Sequence, residues 1–214
     1  SIAIVQPTQL ESLYIQADST DLFCNGALLQ TLLEQLSVQS FSLPPIITQL
    51  GDVHYHGNIH GWLDSLSLKG AFNNSLGSID VEGYIHSDTT FQNFYFSGNV
   101  HTQSFQLGRL LKQADLGKVT LDAQVNGLFE DGQFVEATTI AKIQQFEYKN
   151  YSYQNIHIEG EIAPQEIKGK LNINDENIQL DIADGLVDWS EEETRLWLNM
   201  EVSNFKPATL NLIQ

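Results

Sequence analysis

A single cysteine and only ten basic side chains stand among 214 residues, against 27 acidic ones. Cys24 alone can form no intramolecular disulfide, so a buried, inert thiol is its expected state and the redox compartment is not encoded. The shortage of Lys and Arg leaves a formal charge of −17. That removes the counter-charge which nucleic acid or an anionic bilayer surface requires of a partner. No run approaches the ~18 consecutive apolar residues of a membrane-spanning helix, and no low-complexity tract or linker divides the chain. Catalytic signatures are missing as well: there is no nucleophile elbow, no phosphate-cradling glycine loop and no Cys/His pair at catalytic spacing. The expectation is a non-enzymatic protein without a cofactor.

What is present is alternation. In Ile156, Ile158 and Ile162 the apolar side chains share one parity while His157, Glu159 and Glu161 take the other, and successive strand side chains point to opposite faces. Asn150, Ala163-Pro164-Gln165 and Asn174-Asp175-Glu176-Asn177 punctuate this stretch with residues that tolerate or preset turn dihedrals. The same rhythm recurs at Val53, Tyr55 and Ile59, at Leu66 and Leu68, at Ile79, Val81 and Ile85, at Val119 to Val125, and at Leu196 to Val202. It predicts strands over most of the chain, with reversals at Asp18–Asp21, Asn73-Asn74, Asp131-Gly132 and Ser190–Glu193. Glycines recur on the apolar parity at 57, 61, 70, 83, 160 and 169, where a missing side chain lets a sheet bend. No strict internal repeat is visible. The fold expected is all-β, mainly an antiparallel meander, curved strongly into an open groove.

Two exceptions interrupt the alternation. Leu28, Leu29, Leu32, Leu33 and Leu36 take the spacing of one short amphipathic helix near the N-terminus, with Asn25 placed to cap it. Phe105 to Leu111 predicts a short helical or irregular excursion, and Pro44-Pro45 a break with a turn of helix after it.

The most chemical-looking segment is His54-Tyr55-His56-Gly57-Asn58-Ile59-His60. His54 and His56 can in principle share a metal with a carboxylate of a neighbouring strand, but no zinc-type spacing supports them, and a solvated outer face is the simpler expectation, with no metal. Asp175, Glu176 and Glu191 to Glu193 fall in turns and read as solvated charge; no pair stands out as a glycosidase acid and base.

The remaining candidate is the apolar parity itself. Its strongest stripe comprises Ile156, Ile158, Ile162, Ile167, Leu171, Ile173, Ile178, Leu180, Ile182, Leu196, Leu198, Met200 and Val202. One good helix and two doubtful ones are too few to cover a face supplied by so many strands. Either the sheet closes on a sealed core or an aliphatic surface stays open as a binding site. Sequence pattern alone leaves both open, together with a carbohydrate-binding platform if Tyr95, Trp62 and Trp189 gather on one face.

The segment from Tyr148 to Trp189 adds a resemblance. The aromatic hairpin ending Tyr153-Gln154-Asn155-Ile156, Gly160, the Asn174-Asp175 turn and Gly185-Leu186-Val187-Asp188, together with Phe105-Gln106-Leu107-Gly108 through Leu116-Gly117, resemble the AsmA-like/TamB family of Gram-negative envelope proteins. The resemblance implies that residues 1–214 form a single segment of a longer periplasmic protein anchored in the inner membrane. It implies a groove lined by the stripe named above, whose partners are phospholipid acyl chains conducted between the two membranes in support of outer-membrane biogenesis. A structural module docking with an outer-membrane assembly barrel is the alternative it carries.

Overall fold

The computed structural model describes residues 2–4, 13–25, 31, 49–90, 92–131 and 133–213. The helix expected over Ala27–Leu36, Thr31 apart, and the break at Pro44-Pro45 lie outside these residues. The strands are β1 (Ile2–Ile4), β2 (Tyr14–Asn25), β3 (Asp52–Trp62), β4 (Ser65–Asn74), β5 (Gly77–Ser87), β6 (Phe94–Phe105), β7 (Leu116–Glu130), β8 (Gln133–Tyr148), β9 (Tyr151–Ala163), β10 (Glu166–Asn174), β11 (Ile178–Asp188) and β12 (Arg195–Phe205). They form one sheet in which every strand pairs antiparallel with its sequence neighbours, and the sheet does not close: β1 and β12 are its two edges. The excursion after Phe105 is a single turn of helix, α1 (Leu107–Leu111). No described helix is long and apolar enough to cross a membrane.

Local chemistry accounts for the reversals. Lys149 and Asn150 both take positive φ, the requirement of the two-residue turn whose twist matches an antiparallel pair. In the β4–β5 turn Asn74 Oδ1 accepts from the backbone N–H groups of Leu76 and Gly77 at 2.8 and 3.2 Å, so the reversal falls on Ser75-Leu76, just past the expected Asn73-Asn74. The turn expected at Asp18–Asp21 is instead a bulge. β2 runs straight through it, with a register shift against β3 between Ala17 and Thr20. Ser19 sits at φ 46° and donates its N–H to Asn58 Oδ1. The polar cluster kinks the strand without ending it because β3 supplies partners on both sides of the extra residue.

Buried side chains concentrate at one end of the strands, the end of the β4–β5, β6–β7, β8–β9 and β10–β11 connections. Leu76, Phe105, Leu110 and Val119 form one cluster there, and Tyr153, Ile156, Ile178 and Leu210 another; Ile143 and Phe146 pack against both and join them. α1 covers the first cluster, and the turn at 207–211 that follows β12 covers the second. No sequence repeat was expected, yet the two covers are alike. Phe105 and Leu110 recur one hundred residues on as Phe205 and Leu210. Leu110 N–H donates to Gln106 O at 3.2 Å and Leu210 N–H to Lys206 O at 3.1 Å, and the residues leaving the turns, Lys112 and Asn211, both take positive φ.

Candidate functional site

Cross-strand register places all the residues of the apolar stripe on one face, because residues directly opposite in an antiparallel pair point the same way. Ile156, Ile173, Leu180 and Val202 stand in one row; Ile158, Leu171, Ile182 and Met200 in the next. Ile162, Ile167 and Leu196 make a third with Val187 between them, and Leu198 opposes Gly185 in a row that is glycine at 160 and 169. Ile178 opposes Phe205 beside the covered end.

The rows continue into the N-terminal half, which the stripe did not include. From Ile156 the first runs back through Ile143, Leu121, Thr102, Ile79 and Phe72 to Tyr55. From Ile158 the second runs through Ala141, Ala123, Val100, Val81 and Gly70 to Gly57. Thr102 interrupts the first, but its hydroxyl donates to Ser78 O and is satisfied. The signals for this half were the alternation already noted at Tyr55, Ile79, Val81 and Leu121 and the glycines, which pair across strands as Gly57 with Gly70 and Gly83 with Gly98. Tyr55 fills the bareness of the first pair. Its hydroxyl donates to the carbonyls of Asn58 and Lys69, and a Cβ on Gly70 would come within 2.8 Å of its ring.

Along the strands the face changes character. At the covered end Leu210 is fully buried and Ile156 nearly so. At the other end no described helix lies over Ile85, Ile162, Ile167 and Leu196, all of which are exposed. The last strand is the most exposed, with Leu196 at 60% and Met200 at 56%.

The covered end is also tied by a polar network that corrects the solvated reading of Asp175, which is buried. Its carboxylate accepts from the Tyr151 hydroxyl and from the N–H groups of Gln154 and Asn177 at 3.0 and 2.9 Å. Asn177 Nδ2 donates to Tyr151 Oη, and Lys206 Nζ to Asn177 Oδ1, so the network fastens the turn after β12 to the β10–β11 turn. Burial first, and then the hydrogen bond to Asp175, push the Tyr151 hydroxyl above its ordinary pKa, which keeps it a donor. Glu176 and Glu191 to Glu193 are exposed, as expected.

The opposite face is mostly polar, although Trp62, Tyr95, Ile140 and Trp197 also stand exposed on it. His54 and His56 both meet Asp21 Oδ1, at 3.3 and 2.8 Å; His60 meets Asp18 at 2.6 Å and His101 meets Asp122 at 2.7 Å. The hydrogen bonds from His60, His56 and His101 are the first cause holding Asp18, Asp21 and Asp122 below the ordinary carboxylate value. Among the described residues no group of three His, Cys, Asp or Glu side chains is arranged to hold a metal. Trp62 and Tyr95 share a row with Ser65 and His86 between them, but Trp189 lies in the β11–β12 turn, so the three aromatics do not gather. The geometry offers an uncovered hydrocarbon surface backed by a solvated, acidic one. Comparison with protein-family models, with curated proteins and with solved structures returned no match.

Proposed function

We propose that the chain is a lipid-binding segment whose apolar face takes phospholipid acyl chains, entered from the uncovered end. The observation that carries this is the run of apolar rows across the sheet with covers, among the described residues, at one end alone. Each CH2 drawn out of a bilayer loses about 0.8 kcal/mol of burial, so a surface replacing the bilayer must be nearly continuous hydrocarbon. These rows supply that, and contiguous apolar surface beyond a few hundred Å2 marks a binding site.

The sheet curls around this face on our reading. Support comes from the register shifts in the β2–β3, β6–β7, β7–β8, β10–β11 and β11–β12 pairs, since bulges bend strands and raise twist, and from glycine pairs that leave the middle rows thin. The polar, acidic back suits a carrier in water between membranes. With the resemblance to AsmA-like/TamB proteins, this makes the chain a non-enzymatic periplasmic segment serving outer-membrane biogenesis.

Ile158→Asp and Leu180→Asp test the proposal. Both positions are half-buried on the apolar face. In an accessible groove the new carboxylate stays hydrated, so the protein folds and lipid capture in native mass spectrometry falls. In a sealed core the unpaired charge costs several kcal/mol and unfolds a domain of ordinary stability. Unfolded variants, or a wild type that captures no phospholipid when offered it, overturn the proposal.

A further inference from the structure

The outer edge of β12 is unlike the rest of the sheet. All eleven of its residues except Asn204 are exposed, and no described strand pairs with its outer side. Edges of soluble proteins are normally blunted by lysine, proline, bulges or inward-pointing charge; the bulge in β12 falls at Ser203, towards its C-terminal end. β12 has no lysine or proline, and its apolar parity, Leu196, Leu198, Met200 and Val202, carries no charge. Its single cation, Arg195, is spent on Glu191 at 2.7 Å.

The molecule shows what such an edge receives. β6 precedes α1 as β12 precedes its own covering turn, with Phe105 and Phe205 in equivalent places, and beyond β6 lies β7. Val119 of β7 pairs with Phe105, which is 3% exposed; Phe205, paired with Ile178 on its inner side and with no described strand on its outer side, is 51% exposed. On the polar face His101 of β6 is answered by Asp122 of β7 at 2.7 Å. Glu201 stands in the place of His101, and its partner on the inner side is Asp181. Like charges directly opposite are destabilising, so a cation arriving from the outer side relieves Asp181 and Glu201 together. The sheet's own pairs use this chemistry, as Lys69 with Glu82 and Lys168 with Glu161 show.

We propose that the β12 edge is an acceptor site for one antiparallel strand that carries aliphatic residues opposite Leu198, Met200 and Val202 and a cation opposite Glu201, extending the sheet as β7 extends β6. The inference stands whether or not the apolar face takes lipid.

The probes are two synthetic peptides with the sequence of residues 116–130, one unchanged and one with Asp122→Lys, offered to the full chain. Binding is read by fluorescence anisotropy and by amide exchange along β12. The lysine peptide is expected to protect the β12 amides and to bind more tightly than the unchanged one, by up to about fivefold for a cross-strand charge pair. In Glu201→Lys the order of the two peptides reverses. Because Glu201 is exposed, that variant folds, and its unchanged exchange elsewhere in the sheet confirms it. The proposal is overturned if neither peptide protects β12, if the order is indifferent to the charge at 201, or if β12 is already protected in a dimer seen by sedimentation, which would make a second copy the occupant.

Discussion

Ile156 and Ile162 lie on the same face of one strand, β9, yet the first is 7% exposed and the second 39%. What separates them is the cover, not the strand pattern. At the covered end the chain turns back over the strands twice, through α1 and through the turn after β12, and a buried carboxylate fastens the second. At the uncovered end the described residues only reverse, with Asp64, Asp88, Asp131 and Glu191 to Glu193 in or beside the turns. A single-layer sheet thus holds a small core and an open apolar surface side by side. The first is made by a few residues outside the strands, and over the second no described residue outside the strands folds back.

The largest way to break this contrast is to empty the core. Leu210→Ala is expected to cost about 2–5 kcal/mol, the range for a large-to-small change in a packed site, whereas Leu196→Ala in the last strand should stay within about 0.5 kcal/mol; urea denaturation of the two variants reads the difference. Equal losses would mean that the two ends are packed alike.

Next in size is the fastening network. Asp175→Ala leaves the Tyr151 hydroxyl and the N–H groups of Gln154 and Asn177 without their acceptor and is expected to cost about 1–3 kcal/mol. Amide exchange should rise first in the β10–β11 turn and the turn after β12. A uniform rise across the sheet would contradict the local role given to this carboxylate.

The smallest effect lies on the polar back. Asp18, Asp21 and Asp122 have carboxyls held below the ordinary value by their histidine neighbours. The stability they contribute is therefore present above about pH 4 and is lost as pH falls through their lowered values. Asp122→Asn should lower the melting temperature slightly at pH 6, less in high salt because the pair is exposed, and the difference from wild type should vanish on acidification. A difference that persists in strong acid would assign Asp122 a structural role unrelated to its charge.

Much of this was legible in the sequence, for a physical reason. A period of two states directly which side chains share a face, so the meander and the apolar stripe follow from Ile156, Ile158, Leu171 and their neighbours. Pairing register was not legible, because alternation within a strand does not say which residue lies opposite. The alternation at Tyr55, Ile79, Val81 and Leu121 and the glycines on the same parity hinted that apolar rows run on into β3 to β8, but not which residues meet. Asp18–Asp21 misled because its composition suits a turn and a bulge equally, and the neighbouring strand decides between them. Asp175 misled because a carboxylate in a polar turn looks solvated until Tyr151 and the chain after β12 are folded over it.

Face-specific cross-linking to lipid tests the central claim most directly. A photo-reactive phenylalanine analogue placed in turn at Ile167, Ile182 and Met200 on the apolar face, and at Lys168, Asp181 and Glu201 on the polar one, is irradiated with phospholipid present. The account predicts lipid adducts at the first three positions and none at the last three. Adducts at neither set, or equally at both, would contradict it.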